Sequence, residues 1–123
     1  MTPVERTAPE PAGAEAVVTV LTTVDSAEAA NALARVAVDA RLAACAQISG
    51  PVTSVYRWRG AVETAGEWQV LLKTTAGRYP ALEAALAADH PYDTPEIIAT
   101  PVTAGSAGYL AWVAAEVAEE VAP

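Results

Sequence analysis

The first hydrophobic segment of the chain predicts a strand, and the next one has the spacing of a helix. Residues 15–24, EAVVTVLTTV, are β-branched and apolar on both faces, which predicts a central strand buried on both sides. Apolar side chains then recur at helical spacing, which predicts an amphipathic helix over roughly 26–42. Asp25 is placed to cap this helix, and Glu28 to reach back as its partner in the third helical position.

The next segment alternates apolar and polar residues and predicts a long hairpin. Residues 44–59 read as one strand, in which the Gly-Pro pair at 50–51 predicts a bend or bulge. A turn around Gly60, or else at 64–66, leads to a second strand over 67–75. These strands are longer than one small sheet needs, so they leave edges that must be paired or covered.

The remaining segments predict two helices on either side of one strand. Pro80 suits the first turn of a helix over roughly 80–89, which Pro91 ends because the residue before a proline avoids the helical region. A strand over 96–102 and a terminal helix over 109–120 complete the chain. The order β-α-β-β-α-β with an extra C-terminal helix predicts an α+β fold: a ferredoxin-like sandwich with two helices on one face of an antiparallel sheet.

Composition favours one small domain that assembles with copies of itself. Residues 1–14 carry three prolines and no periodic pattern, which predicts a disordered N-terminal tail, and residues 15–123 then form a single domain. Hydrophobic residues make up 53 % of the chain, but many are alanines and phenylalanine is absent. Such a core buries little area per residue, so we expect an oligomer.

Charge and cysteine content argue against several classes of protein. The net charge is −8 with only seven lysines and arginines, so nucleic acid and membrane surfaces are not expected partners. A single cysteine, Cys45, excludes an internal disulfide and is expected to pack as a small hydrophobe. The N-terminus lacks a signal-peptide pattern, which makes the cytoplasm the expected location. No common catalytic motif occurs, so we expect neither an enzyme nor an organic cofactor.

Five short motifs, taken in their order and spacing, resemble the CutA family of divalent-cation tolerance proteins. The resemblance covers about residues 16–120 and rests on ARLAACAQI (40–48), SVYRWRG (54–60), LLKTT (71–75), HPYDTPEII (90–98) and YLAW (109–112). It implies a homotrimer of ferredoxin-like subunits whose long strands pair between subunits, similar to the PII signalling proteins. It also implies a role in tolerance of copper and other divalent metals, with no established reaction.

The only histidine, His90, is the best candidate for a metal ligand, and Asp89 beside it could add an oxygen. The family resemblance implies, in some relatives, a copper site of two histidines before Pro-Tyr and a cysteine on the first strand. Those positions match Asp89, His90 and Thr22 here, so the thiolate that copper(I) prefers is missing. A closed zinc site needs four ligands, so we expect a divalent cation, copper or zinc, only where subunits bring more ligands together. Otherwise His90 forms hydrogen bonds at a helix end or lines a cleft.

Aromatic and charged residues on the hairpin and after the second helix form the other candidate site. Tyr56 and Trp58 share one face of their strand, and Lys73 needs a partner, for which Glu63 and Glu96 are the candidates. The family resemblance implies a cleft between subunits, lined by Tyr56, Trp58, Lys73, His90, Tyr92 and Glu96. Two functions stay open: a metal-tolerance trimer, and a PII-like module that binds a small ligand or a protein partner in the cleft.

Overall fold

The computed structural model describes residues 8–9 and 13–119 of the 123-residue chain. In that part of the chain the strands are β1 (Ala8–Pro9), β2 (Val17–Val24), β3 (Cys45–Trp58), β4 (Ala61–Thr75), β5 (Ile97–Pro101) and β6 (Ala104–Gly105). The helices of the same part are α1 (Ala27–Asp39), α2 (Tyr79–Asp89) and α3 (Ala107–Val117), and Gly13–Glu15 form a turn of 3-10 helix. None of these helices is long and apolar enough to cross a membrane.

Four strands form one antiparallel sheet in the order β3-β4-β2-β5. β2 lies between β4 and β5 and most of its residues are buried, which confirms the central strand expected at 15–24. The predicted α+β class with an antiparallel sheet is also confirmed, and the predicted elements differ from the observed ones mostly by a few residues at their ends.

The main hydrophobic core lies between the sheet and the helices α1 and α2. Val20 of β2 and Leu72 of β4 are fully buried on this face, where they pack in one cluster with Leu33 of α1 and Leu86 of α2. Alternate residues of a strand point to opposite faces, so the even-numbered positions of β2 and β4 supply this core. Burial of these aliphatic side chains is the main stabilising contribution to the fold.

The third helix covers part of the opposite face of the sheet. Leu110 and Val113 of α3 pack with Val17, which precedes Val18 of the main core and therefore points the other way. Arg41 fastens the end of this helix, because its Nε donates to the Glu116 carbonyl oxygen at 2.8 Å. The sheet thus has helices on both faces, with the smaller cluster under α3.

The cap of α1 differs from the one predicted. Ser26, rather than Asp25, is the N-cap: its backbone is extended and its Oγ accepts a hydrogen bond from the Ala29 amide at 3.0 Å. The expected box of Asp25 and Glu28 is therefore wrong by one residue. Glu28 stands in the second helical position, from which it does not complete a capping box.

The hairpin of β3 and β4 is longer than its predicted second strand. β4 begins at Ala61, not at residue 67, because residues 61–66 pair in register with β3 instead of turning. The turn is at Arg59 and Gly60, both with positive φ, which is the conformation that a two-residue hairpin loop requires. Of the two turns left open by the sequence, the one around Gly60 is confirmed and the one at 64–66 is wrong.

The predicted irregularity at the Gly-Pro pair of β3 is also present. The pairing of β3 with β4 shifts register between Ser49 and Val52. Gly50 has a φ of +148°, and a Cβ there would lie 3.0 Å from the Glu67 carbonyl oxygen, so no other residue fits without movement. Beyond this point the hairpin, residues 50–67, contributes no side chain to either hydrophobic cluster. We call this segment the arm.

The predicted N-terminal tail is only partly covered by the described residues. Ala8 and Pro9 form β1, which pairs antiparallel with β6, and Gly13–Glu15 form the 3-10 turn before β2. These residues have local structure where the sequence predicted disorder. The rest of the predicted tail, at 1–7 and 10–12, lies outside the described residues.

Candidate functional site

The candidate site is a cavity of about 620 Å³ between the arm and the loop that follows α2. It is lined by Thr23, Ser54, Val55, Tyr56, Trp58, Glu67, Tyr92, Asp93, Thr94 and Glu96. The long hairpin supplies one wall and the loop supplies the other, so the arm is what gives the cavity its depth. We call this cavity the cleft.

His90 ends helix α2 and fastens the start of this loop to β2. Its Nδ1 accepts a hydrogen bond from the Tyr92 amide at 3.1 Å, so Nε2 carries the proton and donates it to the Thr23 carbonyl oxygen at 3.0 Å. The Thr22 hydroxyl lies 3.1 Å from the same Nε2. Both ring nitrogens are thus engaged, which is the helix-end role that the sequence left open for His90.

Electrostatics favour the neutral form of this imidazole. Burial lowers the pKa of His90 below its ordinary value of 6.5, although the hydrogen bond to Thr23 and the carboxylates of Asp25 and Glu67 oppose the shift. Protonation would also place a proton on Nδ1, where it faces the Tyr92 N–H. The geometry and the pKa therefore agree on a neutral histidine.

Tyr92 joins the loop to the base of the arm. Its hydroxyl donates to Oε2 of Glu67 at 2.8 Å, and its ring lies 4.9 Å from that of His90, tilted by 56°. Burial, followed by the hydrogen bond to Glu67, raises the pKa of Tyr92 well above its ordinary value of 10. Pro91 and Pro95 restrict the backbone on either side of this tyrosine, so the loop is stiff.

The predicted cleft residues separate into two groups. Tyr56, Trp58, Tyr92 and Glu96 all line the cleft, and His90 lies behind it, in contact with the ring of Tyr92. The shared strand face of Tyr56 and Trp58 is therefore as predicted, with both rings nearly half exposed.

Lys73 does not reach the cleft within this chain, and its predicted partners are wrong. Its Nζ donates to Oε1 of Gln47 at 3.0 Å and lies 5.8 Å from the ring centroid of Tyr109. Its neighbours on β4 face α1 and α2, so Lys73 points to the face covered by α3. Glu63 is ten residues away along the same strand, roughly 33 Å at about 3.3 Å per residue.

The two predicted metal ligands do not form a closed site in one chain. Asp89 is exposed at the last position of α2, and both nitrogens of His90 already have partners. Among the described residues, no group of three histidine, cysteine, aspartate or glutamate side chains is placed to hold a metal ion. A copper or zinc site needs more ligands than these two supply, so the residues of one chain do not fit it.

Glu67 is the cleft residue that the sequence prediction missed. It is only 9 % exposed, although glutamate is rarely buried, and it stands on β4 where the arm meets the body of the sheet. Thr23, Ser54 and Asp93 were missed as well. The available signal was a glutamate directly before the apolar stretch WQVLL, at a position that alternation assigns to the face of Gln69 and Lys73.

Cys45 lies outside the cleft. It is partly buried, and its Sγ is 3.5 Å from the hydroxyl of Tyr109 on α3. This contact, followed by burial, raises the pKa of Tyr109 to about 12. The expectation of a packing role for Cys45 agrees with its position beside α3, although it is less buried than predicted.

Comparisons with known proteins agree on one family. The family model described as CutA1 divalent ion tolerance protein matches residues 18–116. The divalent-cation tolerance protein CutA of Thermus thermophilus is 45 % identical over 94 residues, which cover 76 % of this chain and 91 % of that protein. Its counterpart from Citrobacter koseri is 43 % identical over 99 residues, covering 80 % and 85 %. The crystal structure of CutA from Xylella fastidiosa superposes with a TM-score of 0.81 at 39 % identity, covering 83 % of this chain and 98 % of that one.

Proposed function

Because the chain belongs to the CutA1 divalent ion tolerance protein family, we propose that it serves divalent-cation tolerance as a non-enzymatic homotrimer of ferredoxin-like subunits. The observation that supports a trimer is the exposure of apolar side chains on the arm. Val55 and Val62 of the arm are 66 % and 63 % exposed. A cytoplasmic location stays part of the proposal.

Pairing between subunits would cover this arm. β3 is an edge strand of the sheet, so its outer backbone groups have no strand partner among the described residues. A long, exposed, apolar edge is an aggregation site unless another chain or element covers it. Closed assemblies of identical subunits remove such edges without forming fibres, and a trimer does so with three equivalent contacts.

Light scattering on the full chain tests the assembly. We expect the mass of three chains, independent of concentration over the micromolar range. A monomer would contradict the proposal, because the arm would then stay uncovered in solution. A dimer would keep arm pairing but contradict the trimer.

In this proposal divalent cations bind between subunits, with His90 and Asp89 as ligands from more than one chain. His90 would have to release the Tyr92 amide from Nδ1, which costs about 1 kcal/mol. Structural zinc sites supply roughly 10 kcal/mol or more, so the loss of one hydrogen bond does not prevent binding. The obstacle is the number of ligands, and only neighbouring chains can add them.

A thermal-shift titration with copper or zinc salts tests this part. We expect the metal to raise the melting temperature of the wild type and not that of His90→Ala. Glu28→Gln, which changes an exposed carboxylate in the first turn of α1, is the matched control and should respond like the wild type. No metal-dependent shift in the wild-type trimer would remove metal binding from the proposal and leave the assembly standing.

A second candidate function rests on the cleft itself. A cavity of about 620 Å³ lies in the size range of small-molecule sites, and its walls combine three aromatic rings with polar groups. This favours a PII-like module whose cleft binds a small ligand and reports it to a protein partner. Soaking crystals with a metabolite mixture would test it, and a cleft filled by a neighbouring subunit would contradict it.

A further inference from the structure

We propose that the cleft binds a small organic cation, a protonated amine attached to an apolar body. This inference rests on the second candidate function and names the chemistry of its ligand. It follows from the charges that line the cleft, from one buried carboxylate and from the arrangement of the aromatic walls.

The charged residues that line the cleft all have the same sign. Glu67, Asp93 and Glu96 are acidic, and the ten lining residues include no lysine, arginine or histidine. The chain as a whole carries a net charge of −8, so its field also attracts cations. Among the lining residues of one chain, a phosphate, nucleotide or carboxylate ligand would therefore meet only acidic side chains.

Glu67 shows that this negative charge is not merely a solvated surface. Its side chain is more than nine-tenths buried, and Oε2 accepts the hydrogen bond from Tyr92. Within residues 13–119, Oε1 takes part in no hydrogen bond and the carboxylate forms no ion pair. Oε1 is not among the side-chain atoms that are closed off from solvent, so it is accessible to a donor in the cleft, and a largely buried carboxylate normally has a charged partner. A cation in the cleft would supply that partner.

The aromatic walls suit the same ligand. Tyr56 and Trp58 project from one face of β3, and Tyr92 stands on the opposite wall, with its ring oriented by His90. Aromatic faces attract cations, most strongly those of tryptophan. Trp58 already shows this behaviour, since the guanidinium carbon of Arg59 lies 5.5 Å from its ring centroid.

The size and ligand geometry of the cleft favour an organic cation over a bare metal ion. A volume of about 620 Å³ is far larger than an ion needs, and it is lined by both apolar and polar surface. The described residues also lack a group of three acidic, cysteine or histidine side chains placed to coordinate a metal. An ammonium group needs only acceptors for its N–H bonds, and the lining residues Glu67, Thr23 and Ser54 carry such oxygens.

Calorimetry with a matched pair of probes tests the inference. The probes are 2-phenylethylamine, protonated at pH 7, and 2-phenylethanol, which has the same shape without the charge. We expect the wild-type protein to bind the amine with a millimolar or lower Kd, and the alcohol at least tenfold more weakly. Quenching of tryptophan fluorescence on amine binding would place the probe beside Trp58, and Trp58→Leu should abolish that quenching.

Glu67→Gln isolates the charge of the buried carboxylate. Glutamine keeps an oxygen that can accept from Tyr92, so the fold is retained, and a thermal melt verifies this. We expect at least a tenfold loss of amine affinity in Glu67→Gln and none in Glu28→Gln, which lies on α1 and does not line the cleft. Equal affinity for amine and alcohol, or unchanged affinity in Glu67→Gln, would overturn the inference.

Light scattering on the same samples separates this inference from the proposals it rests on. A trimer that binds neither probe overturns the organic cation and leaves the assembly intact. If the protein is a trimer and its cleft binds a neutral or anionic metabolite, the ligand-binding module is supported. The proposal that the ligand is an organic cation is then overturned.

Discussion

Val62 and Val70 stand on the same strand, β4, yet Val62 is 63 % exposed and Val70 is fully buried. Val70 packs in the main core between the sheet and the helices α1 and α2, whereas Val62 lies in the arm, opposite Arg57. Residue type and strand geometry are the same at both positions. The difference shows that burial in this sheet is decided by what covers the strand, and not by the strand itself.

The part of the hairpin that lies in the four-stranded sheet, which we call the body, is covered by helices of the same chain, whereas the arm is not. The body of the sheet has its helices and is complete within one chain, with Leu72, Leu82 and Val20 fully buried. The arm carries exposed apolar side chains, and no described residue of the same chain packs over them. Substitutions in the body should act on the stability of the chain, while substitutions in the arm should act on assembly.

The largest effect is expected in the body. Leu72→Ala removes a fully buried side chain from the centre of β4 and should lower the free energy of unfolding by about 3 kcal/mol. Denaturant unfolding at fixed protein concentration measures the change. Leu72→Met, which conserves volume, should cost less than about 1.5 kcal/mol. A loss below about 1 kcal/mol for the alanine variant would mean that the body is not close-packed.

The next effect is expected in the arm. Val55→Lys places a charge on the surface that we propose to be covered by another subunit, and should weaken assembly by about 2 kcal/mol, roughly thirtyfold. Sedimentation at falling protein concentration measures it. Val38→Lys is the control, because Val38 is an exposed valine on α1, outside the arm, and should leave the mass unchanged. An unchanged mass in both variants would contradict a covered arm.

Sequence periodicity predicted the body well and the arm less well, for one physical reason. A helix or strand that packs on a core shows apolar residues at the period of its own structure. The elements β2, α1 and α2 could therefore be recognised from the sequence. Residues 61–66 have no such partner in the chain, and their small and polar residues resembled a turn. Their strand conformation comes from pairing with β3, which a local pattern does not record.

The site follows the same division. Tyr56 and Trp58 were found because they share one strand face, and His90 because it is unique. Glu67 was missed because its burial depends on Tyr92, which is 25 residues away and reaches it only through the fold. Lys73 was misplaced for the converse reason: its partner Gln47 lies across the hairpin, and no spacing rule connects them.

A smaller effect is expected where the loop meets the base of the arm. Tyr92→Phe removes the donor to Glu67 and leaves a buried carboxylate without this hydrogen bond, which should lower the free energy of unfolding by about 1.5 kcal/mol. Tyr56→Phe, in the same cleft but nearly half exposed, should change it by less than about 0.5 kcal/mol. Equal losses in both variants would mean that the Tyr92 contact does not fasten the loop.

The raised pKa of Tyr92 adds a pH dependence to the same pair. Above pH 10 the unfolded tyrosine loses its proton at the ordinary pKa, while the folded one keeps it, so the folded state binds more protons. The contribution of Tyr92 is therefore complete below pH 10 and declines as the pH rises. We expect the wild type to lose more stability above pH 10 than Tyr92→Phe does.

The smallest effect concerns the joint between the body and the cleft loop, where His90 bridges Thr23 of β2 and the Tyr92 amide. Because burial holds the pKa of the folded imidazole below 6.5, the unfolded state binds more protons as the pH falls through 6.5. The stabilisation is complete above that value and declines below it, until the folded histidine is protonated too. His90→Asn keeps a side-chain acceptor for the Tyr92 amide but does not titrate.

Melting temperatures of the wild type and His90→Asn between pH 8 and pH 5 measure this contribution. The two curves should run parallel above pH 6.5, and the wild type should fall more steeply below it. Acidic groups contribute equally to both curves, so the difference between them reports the histidine alone. Parallel curves over the whole range would mean that the contact of Tyr92 with Glu67, rather than the hydrogen bonds of His90, holds the loop in place.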